Sequence, residues 1–279
     1  PMDNDFNMEK LLDTAILAAI FAGQELMINY NKTLSIDFKK DQSPVTNADR
    51  SAHALIKTAL QYFDIPLLSE EGEHLSYRIR KKWEKLWIVD PLDGTKEYIK
   101  RNDEFTVNIA FIENNQPIIG VIYAPALQLL YFASKHLNKA FKHELKGGFT
   151  NLNELYYRAI ELPINAHLKT NPIVLASRSH LDLGTKGYID GINKRCGKIN
   201  LVSVGSSLKF GLIAEGSALL YPRFSSTYEW DTAAGQAIVE MAGGSVINAD
   251  DGSPLIYNKK DLLNPHFITR SAFARSGLI

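Results

Sequence analysis

The chain has 279 residues, enough for one large domain or two of moderate size, and its 31 basic and 31 acidic residues give a formal net charge of zero. That balance argues against a general nucleic-acid binder, which carries a basic excess, while 45% hydrophobic and 22% charged content is ordinary for a soluble globular enzyme. The single cysteine, Cys196, excludes an internal disulfide framework and a cysteine zinc site, and fits a reducing compartment. Helix signals open the chain. Asn7 is placed to cap a helix over 7–29 with Leu11, Leu12, Ala15, Ile16, Ala19 and Ile20 as its apolar stripe. The apolar run at 11–22 is interrupted by Asp13, followed by Glu25 and lacks a basic leader. The expectation is therefore an amphipathic first helix, neither a membrane span nor a secretory signal. Ser43-Pro44-Val45-Thr46 breaks the chain, and a second helix is predicted over 47–63 with Ala52, Leu55, Ile56, Ala59 and Leu60 inward. Strands are predicted at 66–69, 86–89, 106–112, 118–123 and 129–133, and the short breaks between the middle three indicate a mixed or antiparallel sheet. Over 142–165 the pattern weakens and turns polar around Gly147-Gly148, so a division into halves 1–150 and 151–279 is expected there. Beyond it, strands at 173–176, 199–204, 218–221, 245–248 and 267–269 alternate with helices at 182–194, 207–215 and 231–242. The last helix ends at Gly243-Gly244, and the alternation is an α/β signature.

The most informative stretch is Trp87-Ile88-Val89-Asp90-Pro91-Leu92-Asp93-Gly94-Thr95-Lys96. An apolar run ends in two acids three residues apart. Pro91 holds Asp90 extended and forces a turn. The Leu92 carbonyl then points to the side of both carboxylates, giving three oxygens from one short loop. Glu70 follows another apolar run, and Asp231 stands at the start of a helix. Acids so gathered repel one another strongly without a cation. Oxygen donors without Cys or His indicate magnesium, with manganese a close substitute. Each piece alone has a plainer reading: Asp-Gly is a common turn, Asp231 can be a helix cap, and Ser69-Glu70-Glu71-Gly72 a solvated loop. Their joint occurrence at strand ends shifts the balance. The N–H groups of Gly94 and Thr95 are placed to hold phosphate oxygens. Thr46-x-x-Asp49 is a capping-box pattern, and Asp49 has a second reading as hydrogen-bond acceptor for Thr95, which would orient and deprotonate a water. Spacing alone leaves these two open.

These motifs resemble the inositol monophosphatase superfamily: Trp87 to Thr95 is similar to its metal signature, and Trp230-Asp231-Thr-Ala-Ala-Gly to its second. Finer details resemble the CysQ-type 3'(2'),5'-bisphosphate nucleotidase branch. They are Asp93 to Asn102, Glu104 to Ala110, Ser177-Arg-Ser-His180, Gly205-Ser-Ser-Leu-Lys-Phe210 and Tyr221-Pro-Arg-Phe224. The likeness runs from Ser43 to Pro265, with Tyr98 where phenylalanine is common. It implies an α/β (α+β) fold, a layered αβαβα sandwich with the site between two halves. It implies metal ligation by Glu70, Asp90, the Leu92 carbonyl, Asp93 and Asp231, and water activation by Asp49 and Thr95. Two magnesium ions are expected, with a third allowed, and lithium inhibition as a family trait.

The implied reaction is in-line hydrolysis of the 3'-phosphate of 3'-phosphoadenosine 5'-phosphate, giving AMP and phosphate. The non-scissile phosphate needs its own cation. Lys209 and Arg223 are the expected ones, with Ser206 donating a hydrogen bond, His180 near base or sugar, and Gly94, Thr95 and Asp231 at the scissile group. The plainer readings are surface charges for the two cations and a helix cap for His180. An inositol monophosphatase-like or sugar-phosphate phosphatase is the alternative, and a non-hydrolysing nucleotide sensor the alternative of another class. Neutral charge offers no electrostatic membrane anchor, so the expectation is a cytoplasmic protein, with loose inner-membrane attachment as the variant.

Overall fold

The structure, a computed structural model, describes residues 7–32, 35–39, 44–164, 171–179 and 182–274. Helix α1 (Met8–Tyr30) begins where expected, with Asn7 Oδ1 accepting from the N–H of Glu9 and Lys10 at 3.0 and 3.2 Å. A short antiparallel pair, β1 (Ile36–Phe38) and β2 (Pro44–Thr46), leads into α2 (Asn47–Leu60). By length and composition α1 is apolar enough to cross a membrane, but its apolar stripe is buried in the protein and its other face is exposed, as an amphipathic core helix requires. Asp13 does not interrupt it: the residue sits at the margin of the buried face, where Tyr156 Oη donates to its carboxylate at 2.5 Å. The predicted stripe, Leu11 to Ile20, is buried against the protein's own sheet.

That sheet has seven strands in the order of the chain: β3 (Leu67–Ser69), β4 (Lys85–Asp93), β5 (Thr106–Glu113), β6 (Gln116–Ala124), β7 (Leu129–Ser134), β8 (Lys139–Glu144) and β9 (Ile160–Leu162). β3 and β4 are parallel, and the rest pair antiparallel. Short helices α3 (Tyr77–Arg80), α4 (Thr95–Lys100) and α5 (Leu152–Arg158) lie in the connections. Alternation sends Trp87, Val89, Val107, Ile109 and Phe111 toward α1 and α2, and Leu86, Ile88, Ala110 and Ile112 to the other face. Both faces are covered, so these strands read in the sequence as unbroken apolar runs.

The second sheet carries β10 (Ile173–Ser177), β11 (Asn200–Val204), β12 (Leu220–Arg223), β13 (Ser245–Asn248) and β14 (Phe267–Arg270) in the order β11-β10-β12-β14-β13. The three helices of this part are α6 (Leu183–Cys196), α7 (Leu208–Glu215) and α8 (Glu229–Met241). α7 and α8 fill the space between the two sheets, and α6 covers the outer face of the second. The layers are therefore α1/α2, sheet, α7/α8, sheet, α6, the expected five-layer sandwich.

The close seating of α8 depends on Gly120 of β6. A Cβ there would lie 2.3 Å from the Ala234 carbonyl oxygen and 2.8 Å from Ala237 Cβ. Gly120→Ala is expected to cost about 1–3 kcal/mol through overpacking. A thermal melt checks this; an unchanged midpoint would show that the layer spacing is not set at this contact.

Two expectations differ in detail. β4 does not stop at Val89 but runs through Pro91 to Asp93, pairing Asp90 with Asn108 and Asp93 with Thr106 across a register shift. The shift releases Pro91 from the regular ladder, where its missing N–H would be a defect. The weakly patterned stretch 142–165 contains the end of β8, α5 and β9, so the first sheet continues past 150 and ends at Leu162.

Candidate active site

β3 and β4 run parallel, so their C-terminal ends share one edge of the sheet. Glu70 leaves β3 with its N–H still donating to Val89 O at 3.1 Å, and Asp90 is the next residue of β4. Asp231 arrives from the opposite side, in the first turn of α8, where its Oδ2 accepts from Tyr228 N–H at 2.7 Å. A buried polar cluster anchors that helix start: Glu229 accepts from Asn258 N–H at 2.6 Å and from Lys259 N–H and Nζ at 2.9 and 2.6 Å. Oxygens of Glu70, Asp90 and Asp231 consequently lie within 4.8 Å of one another.

Asp90 is buried and spends one oxygen on the Leu92 N–H at 3.0 Å. Burial, and then the charges of Glu70, Asp93 and Asp231, push its carboxyl well above the usual range. Burial, Asp93 and Glu70 do the same to Asp231. Lys39 Nζ stands 2.8 Å from Glu70 Oε1 and also pairs with Glu71. Crowded hard oxygen donors whose burial and mutual charge raise their carboxyls fit a divalent cation. Asp93 adjoins the trio. Its Oδ2 accepts from Ser207 Oγ at 2.6 Å and from Asn108 Nδ2 at 3.5 Å. Ser207 and Asn108 lie within stretches that resemble the family, but nothing in the sequence gives either of them this role.

Asp49 makes the hydrogen bonds that both of its readings require. Oδ2 closes the capping box, accepting from Thr46 N–H at 2.8 Å and Thr46 Oγ1 at 2.6 Å. Oδ1 faces the other way and accepts from Thr95 Oγ1 at 3.2 Å, while Thr95 Oγ1 is also 3.3 Å from the Leu92 carbonyl. Burial raises the Asp49 carboxyl, against the pull of the Thr46 hydrogen bonds. Gly94, with φ of +90°, turns the chain from β4 into α4, so that Gly94 and Thr95 line the cleft.

Lys209, Arg223 and Ser206 line the same cleft of about 250 Å³. The surface-charge reading of the two cations fails, since both are buried. Lys209 Nζ donates to Val204 O at 3.1 Å and Ser206 O at 2.6 Å and lies 5.0 Å from the centre of the Tyr221 ring. Burial and the neighbouring Arg223 charge hold it down to about 8. Arg223 donates to the main-chain oxygens of Ser225 and Ser226, both at 3.3 Å, and also hydrogen-bonds the Tyr221 side chain. Ser206 has φ of +48°, and its Oγ is buried with no hydrogen-bond partner among the described residues. Two adjacent buried cations and a hydroxyl without a partner among the described residues could take an anion. His180 lies outside the described residues. Glu97 and Tyr228 also line the cleft, and nothing in the sequence pattern singles them out; Glu97 is buried and accepts from Ser179 Oγ.

The chain matches the inositol monophosphatase family over residues 7–275. It is 42% identical over 262 residues to the 3'(2'),5'-bisphosphate nucleotidase CysQ of Escherichia coli, covering 92% of this chain and 98% of that protein. The crystal structure of CysQ from Bacteroides thetaiotaomicron superposes with a TM-score of 0.86 at 45% identity, over 96% of this chain and 98% of that one. The Thermotoga maritima inositol monophosphatase shares the fold, with a TM-score of 0.74 at 24% identity over 94% and 92% of the two chains. With the acid trio, the paired Asp49 and Thr95 and the whole five-layer frame in place, the chain belongs to the inositol monophosphatase family.

Proposed function

We propose that this chain is a magnesium-dependent 3'(2'),5'-bisphosphate nucleotidase that removes the 3'-phosphate of 3'-phosphoadenosine 5'-phosphate, releasing AMP and phosphate. One observation carries the reading: a single cleft joins an acid trio to a second, buried cationic pole at Lys209 and Arg223. A monophosphate substrate leaves that second pole without a partner. A bisphosphate nucleotide fills both, and the CysQ relative from Escherichia coli is named for that activity.

Glu70, Asp90, the Leu92 carbonyl, Asp93 and Asp231 would hold two magnesium ions. When bound, these neutralise the scissile phosphate and acidify the attacking water. Thr95 Oγ1 accepts a hydrogen bond from that water while passing its own to Asp49 Oδ1, so Asp49 is the proton acceptor at the end of a two-residue relay. The N–H groups of Gly94 and Thr95 steady the phosphoryl oxygens as their charge grows. Ser207 and Asn108 hold Asp93 through its Oδ2. Arg223 forks onto the second phosphate, and Lys209 adds a point charge.

A substrate panel with magnesium tests this: a clear preference for 3'-phosphoadenosine 5'-phosphate over inositol 1-phosphate is expected, and equal or better rates on the inositol ester would move the assignment to a monophosphatase. The double variant Lys209→Ala, Arg223→Ala is expected to lose at least about 100-fold in kcat/KM on the bisphosphate, since each charged hydrogen bond is worth about 1.5–3 kcal/mol. Inositol 1-phosphate turnover should change little. A uniform loss on both substrates would place these cations at the scissile group.

A further inference from the structure

The segment 203–207, the end of β11 and the turn into α7, is held by groups from three directions. Arg178, just past β10, donates from Nη2 to Ser203 O at 2.8 Å. Its Nε and Nη2 also grip Glu104 with a two-pronged pair at 2.7 and 2.8 Å. Glu104 Oε2 in turn accepts from Gly205 N–H at 2.7 Å. Lys209 ties the loop from behind through Val204 O and Ser206 O. There is no slack at Gly205, where a Cβ would lie 2.8 Å from Glu97 Cγ and 2.9 Å from Glu104 O.

The conformation so enforced is an unfavourable one. Ser206 is a non-glycine residue in the left-handed region, and it persists only where the surroundings over-determine it. Its product is the Ser206 hydroxyl, without a partner among the described residues and buried beside Lys209 on the wall of the cleft. Glu104 comes from the first sheet's side of the molecule and Arg178 from the second, so the pair also fixes where the two halves meet at this end. A half-exposed ion pair contributes little in general, but a two-pronged geometry with a third donor is the exception. Burial raises the Glu104 carboxyl, yet Arg178 and the Gly205 N–H outweigh it and hold it below the ordinary range.

We propose that Glu104 and Arg178 are positioning residues for the second phosphate: they clamp the 203–207 loop so that Ser206 and Lys209 meet the non-scissile group, and thereby set the preference for bisphosphate over monophosphate substrates. The inference rests on the bisphosphate reading above. Neither side chain lines the cleft, so the clamp acts on substrate choice and leaves the hydrolytic step alone.

The test is steady-state kinetics of Arg178→Ala and Glu104→Ala on 3'-phosphoadenosine 5'-phosphate and on 3'-AMP, which lacks the second phosphate. A misplaced binding group costs about tenfold to a hundredfold. That loss is expected in KM for the bisphosphate, with kcat and the 3'-AMP parameters within about twofold of wild type on the same scale. Glu104→Gln, which keeps an oxygen for Gly205, and Arg178→Lys, which keeps the charge, should fall between. Calorimetric binding of AMP, whose phosphate is the non-scissile one, should weaken in step without any turnover. Parallel losses on both substrates would reduce the pair to a fold contact and overturn the inference, as would unchanged bisphosphate KM and AMP affinity. A variant that fails to fold in circular dichroism is replaced by the two conservative ones, whose KM and AMP affinity decide the matter in the same way. If wild type itself shows no preference, the bisphosphate reading has failed and the inference with it; if wild type prefers the bisphosphate and the Ala variants keep that preference, the inference alone has failed.

Discussion

Asp90→Asn should abolish turnover while making the metal-free protein more stable. The two effects have one cause. Asp90 is buried, with Glu70 and Asp231 oxygens within 4.8 Å, and its carboxyl is pushed well up by burial and by those neighbours. The amide keeps the volume and, through Oδ1, the acceptor for the Leu92 N–H. It removes one of the crowded negative charges, so repulsion in the metal-free protein falls and its melting point rises. The same change deletes a metal-holding charge. Magnesium at a hundred times its Kd should stabilise wild type by about 2.7 kcal/mol, and this gain should shrink or vanish in the variant. Since uncatalysed phosphate-ester hydrolysis is among the slowest of reactions, loss of the cation should cost activity by about 10³-fold or more. Melting curves with and without magnesium, beside a phosphate-release assay, read all three. A variant less stable without metal would mean that Asp90 serves the fold through its charge.

Asp49→Asn carries the second large effect, about 10²–10⁴-fold in kcat, the usual worth of a placed proton acceptor. Its two oxygens do separate jobs, and variants can part them. The asparagine Oδ1 can still accept from the Thr46 N–H in the capping box, so α2 should survive, but the amide cannot take a proton from the Thr95 relay. Thr46→Ala does the converse: it removes the cap hydroxyl on Oδ2 and leaves Oδ1 on Thr95, so it should cost about 1 kcal/mol of stability and little activity. Magnesium should still raise the melting point of both. If Asp49→Asn keeps near-wild-type kcat, Asp49 is a cap and the acceptor lies elsewhere.

How far the sequence anticipates this arrangement depends on what each feature needs. Individual elements are legible, because β4, β5 and β6 read as apolar runs and α1 shows its stripe, whereas the stacking into five layers comes only from the family resemblance. Convergence of Glu70, Asp90 and Asp231 is legible only as a juxtaposition of motifs; parallel pairing of β3 with β4 puts the first two on one edge, and no local pattern states that pairing. β9 escapes a sequence reading because a three-residue edge strand with only Leu162 buried has no alternation to read. The burial of Lys209 is equally silent. It occupies the first turn of α7, where solvent exposure is the ordinary expectation, and only tertiary packing turns its stem inward over Tyr221. Asp49 shows the opposite limit: both of its readings are visible in the sequence, and spacing cannot show that one carboxylate satisfies both.

The most direct test of the shared cation cage is an anomalous-difference map from crystals grown with manganese, which takes the same oxygen donors as magnesium. The account predicts a peak bonded to carboxylate oxygens of both Asp90 and Asp231, with Glu70 in the same shell and Lys39 displaced from it. A map with no ion common to Asp90 and Asp231 would contradict it.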